Sequence, residues 1–189
     1  SIMNPDFPAP VGFYSTTMAT IEDIVFEAMS KAAGKPAVAH NAASSMVLLG
    51  TSGSGGARYV QYELIRSGNG AYSGGDGFTG TGHSWAGGAK FTSVEILESE
   101  FDVQLQCFAL IPNSGGDGAN RGGGGLRREY RVLKESRYSG GAARQNDPPH
   151  GVDGGFPGKP GVITVNPESP QPVEYRGLVS NLLLAEGDV

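Results

Sequence analysis

Apolar positions change their period along the chain, and the change divides it. Between Thr17 and Ala33, Met18, Ile21, Val25, Ala28, Met29 and Ala32 recur at steps of three and four, which puts one apolar stripe on a helix. Thr16 or Thr17 can cap its start, and Glu22 and Asp23 suit the positive end of its dipole. Lys31 suits the other end, Gly34 can take the left-handed closing position, and Pro36 prevents continuation. The helix is expected to pack on the core through its stripe and to carry no chemistry. Residues 1–14 hold three prolines and no usable period, so they read as an extended lead-in.

Beyond Ala37 the period shortens to two. Phe101, Val103, Leu105 and Cys107 alternate with Asp102, Gln104 and Gln106, the pattern of a strand with one wet face. Tyr59–Arg66, Phe91–Glu98, Leu126–Leu133 (Tyr130 and Val132 inward), Gly161–Val165 and Val173–Val179 are expected to be strands too. Glu63 and Glu95 are then expected on wet strand faces. Turn-forming clusters at 113–125 and 146–161 separate these runs, and no fixed-period repeat exists. The reading is α+β, β-dominated, with glycine-rich loops and one amphipathic helix near the N-terminus, in a single domain over 1–189. The final run LLLAEGDV ends in a turn signal that should lead into another strand, so the chain is expected to be a piece of a larger subunit.

Composition sharpens this picture. Thirty-one glycines and twelve prolines approach a disordered composition, yet 38% of residues are hydrophobic and recur in runs, so the glycines punctuate a folded domain. The net charge of −5 and the scattered Lys and Arg argue against a nucleic-acid surface. The densest basic cluster, Arg127-Arg128 with Arg131 and Lys134, reads as a solvated strand face. The single cysteine, Cys107, excludes an internal disulfide and reads as a small core hydrophobe. No apolar stretch approaches the roughly 20 residues that cross a bilayer, and the amino end lacks a signal-peptide pattern, so cytoplasm is the expected compartment.

Candidate chemistry is sparse. The loop GTSGSGG at 50–56 lacks the Lys-Ser/Thr pair of a phosphate cradle and reads as a surface turn. The tetraglycine 122–125 reads as a close-packed bend before an anion nest. His40, His83 and His150 lie far apart, without the short spacing of a metal site. His83, beside the lone Trp85 in a glycine-rich loop, is the natural acid–base candidate.

The order of the tracts carries more information than any one of them. SIMNPDFPAPVG before a helix, then VQYELIRSGNGAYSGGDGFTGTGHS, TSVEILES, NSGGDGANRGGGGLRREYRVL and PPHGVDGGFPGKPG together resemble the latter part of the hydantoinase B/oxoprolinase family. The resemblance covers nearly the whole chain. It implies one subunit of an ATP-dependent hetero-oligomer, in which a kinase-like hydantoinase-A-type partner uses ATP and magnesium to activate the substrate. The B-type subunit then hydrolyses a cyclic amide (hydantoin, 5-oxoproline or another lactam) or carboxylates a ketone such as acetone or acetophenone. A divalent metal would belong to an upstream His-x-x-Asp-x-Gly tract, absent here, so this chain alone is expected to bind no cofactor. By the same resemblance His83 is the catalytic candidate, with Glu63 orienting it. Tyr62, Asn69, Trp85 and Arg121 are the substrate-binding candidates. Two departures matter: Trp85 stands where members carry a second histidine, with Gly87-Gly88 in place of an Asn-Thr pair, and His150 stands where many have tryptophan. A bulky aromatic at that point favours an apolar substrate or a degenerate site. The alternative is a noncatalytic scaffold that docks the kinase-like partner.

Overall fold

A computed structural model of the chain describes residues 6–8, 15–42, 44–52, 57–82, 90–142 and 144–189. Among these lie two helices and eight strands, all paired antiparallel, an α+β fold dominated by strands. Helix α1 spans Ser15–Ala33 and α2 Val94–Glu100; the strands are β1 (Ser44–Ser52), β2 (Ala57–Ile65), β3 (Val103–Leu110), β4 (Leu126–Val132), β5 (Ser136–Ala142), β6 (Ile163–Val165), β7 (Val173–Tyr175) and β8 (Val179–Leu184). A four-stranded sheet has the order β2-β1-β5-β8, and β3-β4 and β6-β7 form two smaller sheets. The core is where they meet: Leu48, Leu97, Val103, Val132 and Leu184 pack together, with Phe101, Leu105, Tyr130 and Tyr138 against them.

Several strands follow the two-residue period, and β3 keeps Gln104 and Gln106 on its exposed face, with Cys107 half-buried. β1 and β5 were not anticipated. They are the inner strands of the larger sheet, and SSMVLLGTS and SRYSGGA show no clean alternation to announce it. The expected strand Val173–Val179 divides at Gly177, whose φ of +102° ends β7, and β8 takes up the run toward Leu184.

Phe91–Glu98 is not a strand. Ser93 caps a helix there, its Oγ accepting the Ile96 N–H at 3.4 Å, with Glu95 in the first turn and Leu97 as the one buried side chain. Local capping outweighs the β-branched content of TSVEIL.

Helix α1 begins at Ser15, upstream of the expected Thr16–Thr17 start, and closes on Gly34 with φ +61° as its sequence indicates. Its orientation reverses the expectation. Met18, Val25, Ala28, Met29 and Ala32 are exposed, Met29 by 64%, whereas Ala19 and Asp23 are buried and Glu27 and Ser30 half-buried. At 100° per residue these inward positions lie nearly opposite the apolar stripe. The stripe therefore does not pack on this core, and the helix presents carboxylates to it.

Candidate functional site

Glycine-rich segments carry the site because here chain crosses chain without side chains between. Asn69 N–H donates to Phe78 O and Gly123 N–H to Asn69 O, both at 2.9 Å, while Gly77 N–H donates to Arg121 O at 2.8 Å. A Cβ on Gly68 would sit 2.0 Å from Gly123 O, and one on Gly77 would sit 2.0 Å from Asn69 O. No side chain fits there, so the tetraglycine serves close packing, as its sequence suggests. The loops at 37–42, 67–82, 111–125 and 149–161 are joined to one another by backbone hydrogen bonds into an irregular layer. Between layer and sheet lies a cavity of about 980 Å³, with Met46, Leu48 and Tyr138 on the sheet side and His40, Asn69 and His150 on the loop side.

Two buried ionic groups flank this cavity. In the first, Glu63 points inward from β2. Its Oε1 accepts from Arg128 Nη1 at 2.9 Å and its Oε2 from the Tyr130 hydroxyl. Both Arg128 and Glu63 side chains are almost fully buried. The guanidinium also lies over the rings of Phe91 (4.5 Å) and Phe108 (4.9 Å), the cation–π arrangement that favours a desolvated arginine. Burial, reinforced by the Glu63 carboxylate, pushes the Tyr130 phenol well above its ordinary pKa and keeps it a proton donor. The wet-face readings of Glu63 and Arg128 are thereby overturned. Each buries its charge because the other neutralises it. Arg127 beside them is the exposed partner of Glu129, as expected for that cluster.

The second group was not foreseen. Asp23 on α1 takes the Asn41 backbone N–H on Oδ2 (3.1 Å) and the Asn41 Nδ2 on Oδ1 (2.8 Å). Arg144 Nη2 donates to Asp23 Oδ2 at 3.1 Å and lies 3.1 Å from His40 Nδ1. An arginine can only donate, so Nδ1 accepts and His40 carries its proton on Nε2, 2.8 Å from Glu27 Oε2. The His150 ring stacks on His40 with centroids 5.3 Å apart, and its Nε2 meets Asp147 Oδ1 at 2.7 Å. The Lys31 and then the His40 hydrogen bond hold the Glu27 carboxyl below its ordinary range, and the His150 bond does the same for Asp147. The signal for this cluster was present but unweighed: two carboxylates four apart on the polar face of α1.

Of the residues singled out in the sequence, Asn69 lines the cavity. Its Nδ2 donates to Asn41 Oδ1 at 3.1 Å, and its Oδ1 accepts from the Thr81 hydroxyl. Glu63 stands behind the wall, reaching it through Arg128 and Tyr130, which do line it. Tyr62 faces outward, 57% exposed, on the other side of β2. Arg121 pairs with Asp117 at the surface, and its N–H donates to Asp76 Oδ1 at 2.7 Å. His83 and Trp85 lie outside the described residues, as do Gly87 and Gly88.

The loop at 50–56 offers no phosphate cradle in its described part, because residues 50–52 are paired with 57–59 at the end of the β1–β2 ladder. Among the described residues no three His, Cys, Asp or Glu side chains are arranged to hold a metal ion. No described helix is long and apolar enough to cross a membrane.

Comparison with known proteins places this architecture. The family model described as hydantoinase B/oxoprolinase matches residues 1–189. The 5-oxoprolinase of Dictyostelium discoideum is 32% identical over 82% of this chain and 12% of its own length. Caprolactamase subunit beta of Pseudomonas jessenii is 32% identical over 72% of this chain and 24% of its own. Among solved structures, acetone carboxylase in a nucleotide-free form matches with a TM-score of 0.65 and 17% identity, over 80% of this chain and 25% of that one, a likeness of fold. The chain thus spans about a quarter or less of the length of each of these proteins.

Proposed function

The chain belongs to the hydantoinase B/oxoprolinase family, and from that premise we propose that it forms one wall of the substrate cavity in the B-type subunit of a cytoplasmic, ATP-dependent, multi-subunit enzyme. That enzyme opens a cyclic amide or carboxylates a ketone once a kinase-like A-type partner has activated the substrate. The observation that carries the proposal is the cavity beneath the glycine layer, whose loops are the tracts that mark the family. Its volume suits a small organic substrate, and apolar sheet residues line it together with polar groups such as Asn69, Tyr130 and His40.

The described residues bind and orient in this proposal. Asn69 has one amide hydrogen committed to Asn41 and a second left for a substrate carbonyl, a group that lactams and ketones share. Arg128 and Tyr130, locked by Glu63, hold the opposite wall rigid. His83 is proposed as the proton-transfer or positioning group, with Trp85 as an apolar neighbour. Among the described residues no three His, Cys, Asp or Glu side chains come together as metal ligands. The divalent ion is assigned to the upstream part of the B-type subunit, and ATP with magnesium to the kinase-like partner.

The test is steady-state kinetics of the intact complex on 5-oxoproline, hydantoin, caprolactam and acetone with bicarbonate. His83→Ala should lower kcat by roughly 10²–10⁴-fold, the usual worth of a general acid or base. Full turnover by that variant removes the role. The scaffold reading is favoured by one observation, the outward apolar stripe of α1. On that reading neither His83→Ala nor Asn69→Ala changes turnover, and charges placed on the stripe release the kinase-like partner.

A further inference from the structure

Asp23 is a buried carboxylate on a helix whose apolar residues point away, a placement that helix amphipathicity does not explain. Its consequence can be followed atom by atom. A carboxylate only accepts, so Asp23, held by Arg144, forces the Asn41 side chain to present Nδ2 to it. That fixes Asn41 Oδ1 on the other side, where it accepts both the Asn69 Nδ2 and the Gly70 N–H at 3.1 Å. Asn69 is thereby fixed in turn, with Nδ2 toward Asn41 and Oδ1 toward the Thr81 hydroxyl. Turning over either amide would set two acceptors, or two donors, face to face. The backbone cannot yield to relieve this, because a Cβ at Gly70 would already lie 1.8 Å from Ala39 O.

We propose that Asp23 and Asn41 are positioning residues that orient the Asn69 carboxamide, so that an N–H and not a carbonyl is offered to the substrate's carbonyl oxygen. The inference rests on Asn69 contacting substrate, as proposed above. The polarity originates in Asp23, the one member of this relay that cannot donate, and it passes through two amides to the cavity.

The experiment uses the intact complex and whichever of 5-oxoproline, hydantoin, caprolactam or acetone it turns over. Asn69→Ala sets the scale, with KM expected to rise roughly tenfold, the worth of one good hydrogen bond. Asn41→Ala should raise KM by a similar factor with kcat nearly unchanged. The Asn41→Ala/Asn69→Ala double variant should be no worse than Asn69→Ala, because the first residue acts only through the second. Thr81→Val removes one hydroxyl at nearly constant shape and should also raise KM, whereas Thr81→Ser should restore it. That pair keeps the question answerable should Asn41→Ala fail to fold. A KM increase for Asn69→Ala with none for Asn41→Ala or Thr81→Val overturns the relay and leaves the substrate contact standing. Additive losses in the double variant overturn it as well. An unchanged KM in Asn69→Ala removes the substrate contact itself, and the relay with it.

Discussion

Glu63 and Asp23 are both buried carboxylates paired with buried arginines, yet they lead to different places. Glu63 spends both oxygens on Arg128 and Tyr130, and the arginine is closed in by Phe91 and Phe108. That group ties β2 to β4 and presents to the cavity only the two side chains that hold Glu63. Asp23 spends its oxygens on Arg144 and on Asn41, and the contacts continue to Asn69 at the cavity, whose Oδ1 accepts from Thr81. A closed pair anchors architecture. An open chain of amides, each with a defined donor and acceptor end, transmits orientation. Burial and charge alone would rank the two carboxylates equally, and connectivity separates them.

The comparison breaks most readily at the closed pair. Glu63→Ala strands the Arg128 guanidinium in an apolar box and should destabilise by about 3–5 kcal/mol, seen as a large fall in the denaturation midpoint of the full polypeptide. Replacing both partners, as Glu63→Leu with Arg128→Met, should recover most of that loss, since no buried charge is left over. A mild single variant would place Glu63 in contact with water and undo the contrast. Close behind comes Gly68→Ala, whose Cβ would meet Gly123 O at 2.0 Å and should cost about 1–3 kcal/mol through displaced loops. Equal stability there would mean the glycine layer has slack.

Tyr130→Phe sharpens the same side. It leaves Glu63 Oε2 without its donor and should cost about 1–3 kcal/mol near neutral pH. The pH dependence has a definite sign. The folded-state pKa of Tyr130 is raised, so its stabilisation is fully present below about pH 10, the unfolded value, and declines as pH climbs beyond it. Alkaline denaturation of the parent and of Tyr130→Phe should therefore converge at high pH. The pairs made by Glu27 and Asp147 behave oppositely and weakly. Glu27 and Asp147 have lowered pKa values, so what they contribute is present above about pH 4 and fades as acid protonates them.

How much of this was legible in the sequence depends on whether the deciding force was local. Helix α1, its Gly34 closure and the alternation of β3 all rest on contacts within a few residues, and their patterns are visible in the string. Phe91–Glu98 misled because one serine hydroxyl at position 93 decides between helix and strand. β1 and β5 escaped because SSMVLLGTS and SRYSGGA show no clean alternation of apolar and polar residues, although both are inner strands of the sheet. Asn69, which lies on one of the family tracts, lines the cavity. The Glu63–Arg128 pair, 65 positions apart, and the Arg144–Asp23 pair, 121 apart, could not be read from spacing, because only the folded sheet and loops bring them together.

Helix α1 itself offers the smallest and most discriminating effect, since it joins both halves of the contrast. Its inner face supplies Asp23 and Glu27, while its outer face exposes Met18, Val25 and Met29. Asp23→Ala should weaken the fold and disturb the site, because Arg144 and Asn41 lose their acceptor together. Met29→Glu, six residues on and about 120° away around the helix, touches none of these contacts. It should change the stability of the full polypeptide by no more than about 0.5 kcal/mol, as an exposed substitution does. Gel filtration of the assembled complex adds the second reading. If the stripe is a docking face, Met29→Glu loosens the assembly while leaving the melting of the chain alone. If Met29→Glu instead costs as much as Asp23→Ala, the helix packs through its stripe after all, and the inward orientation of its carboxylates is wrong.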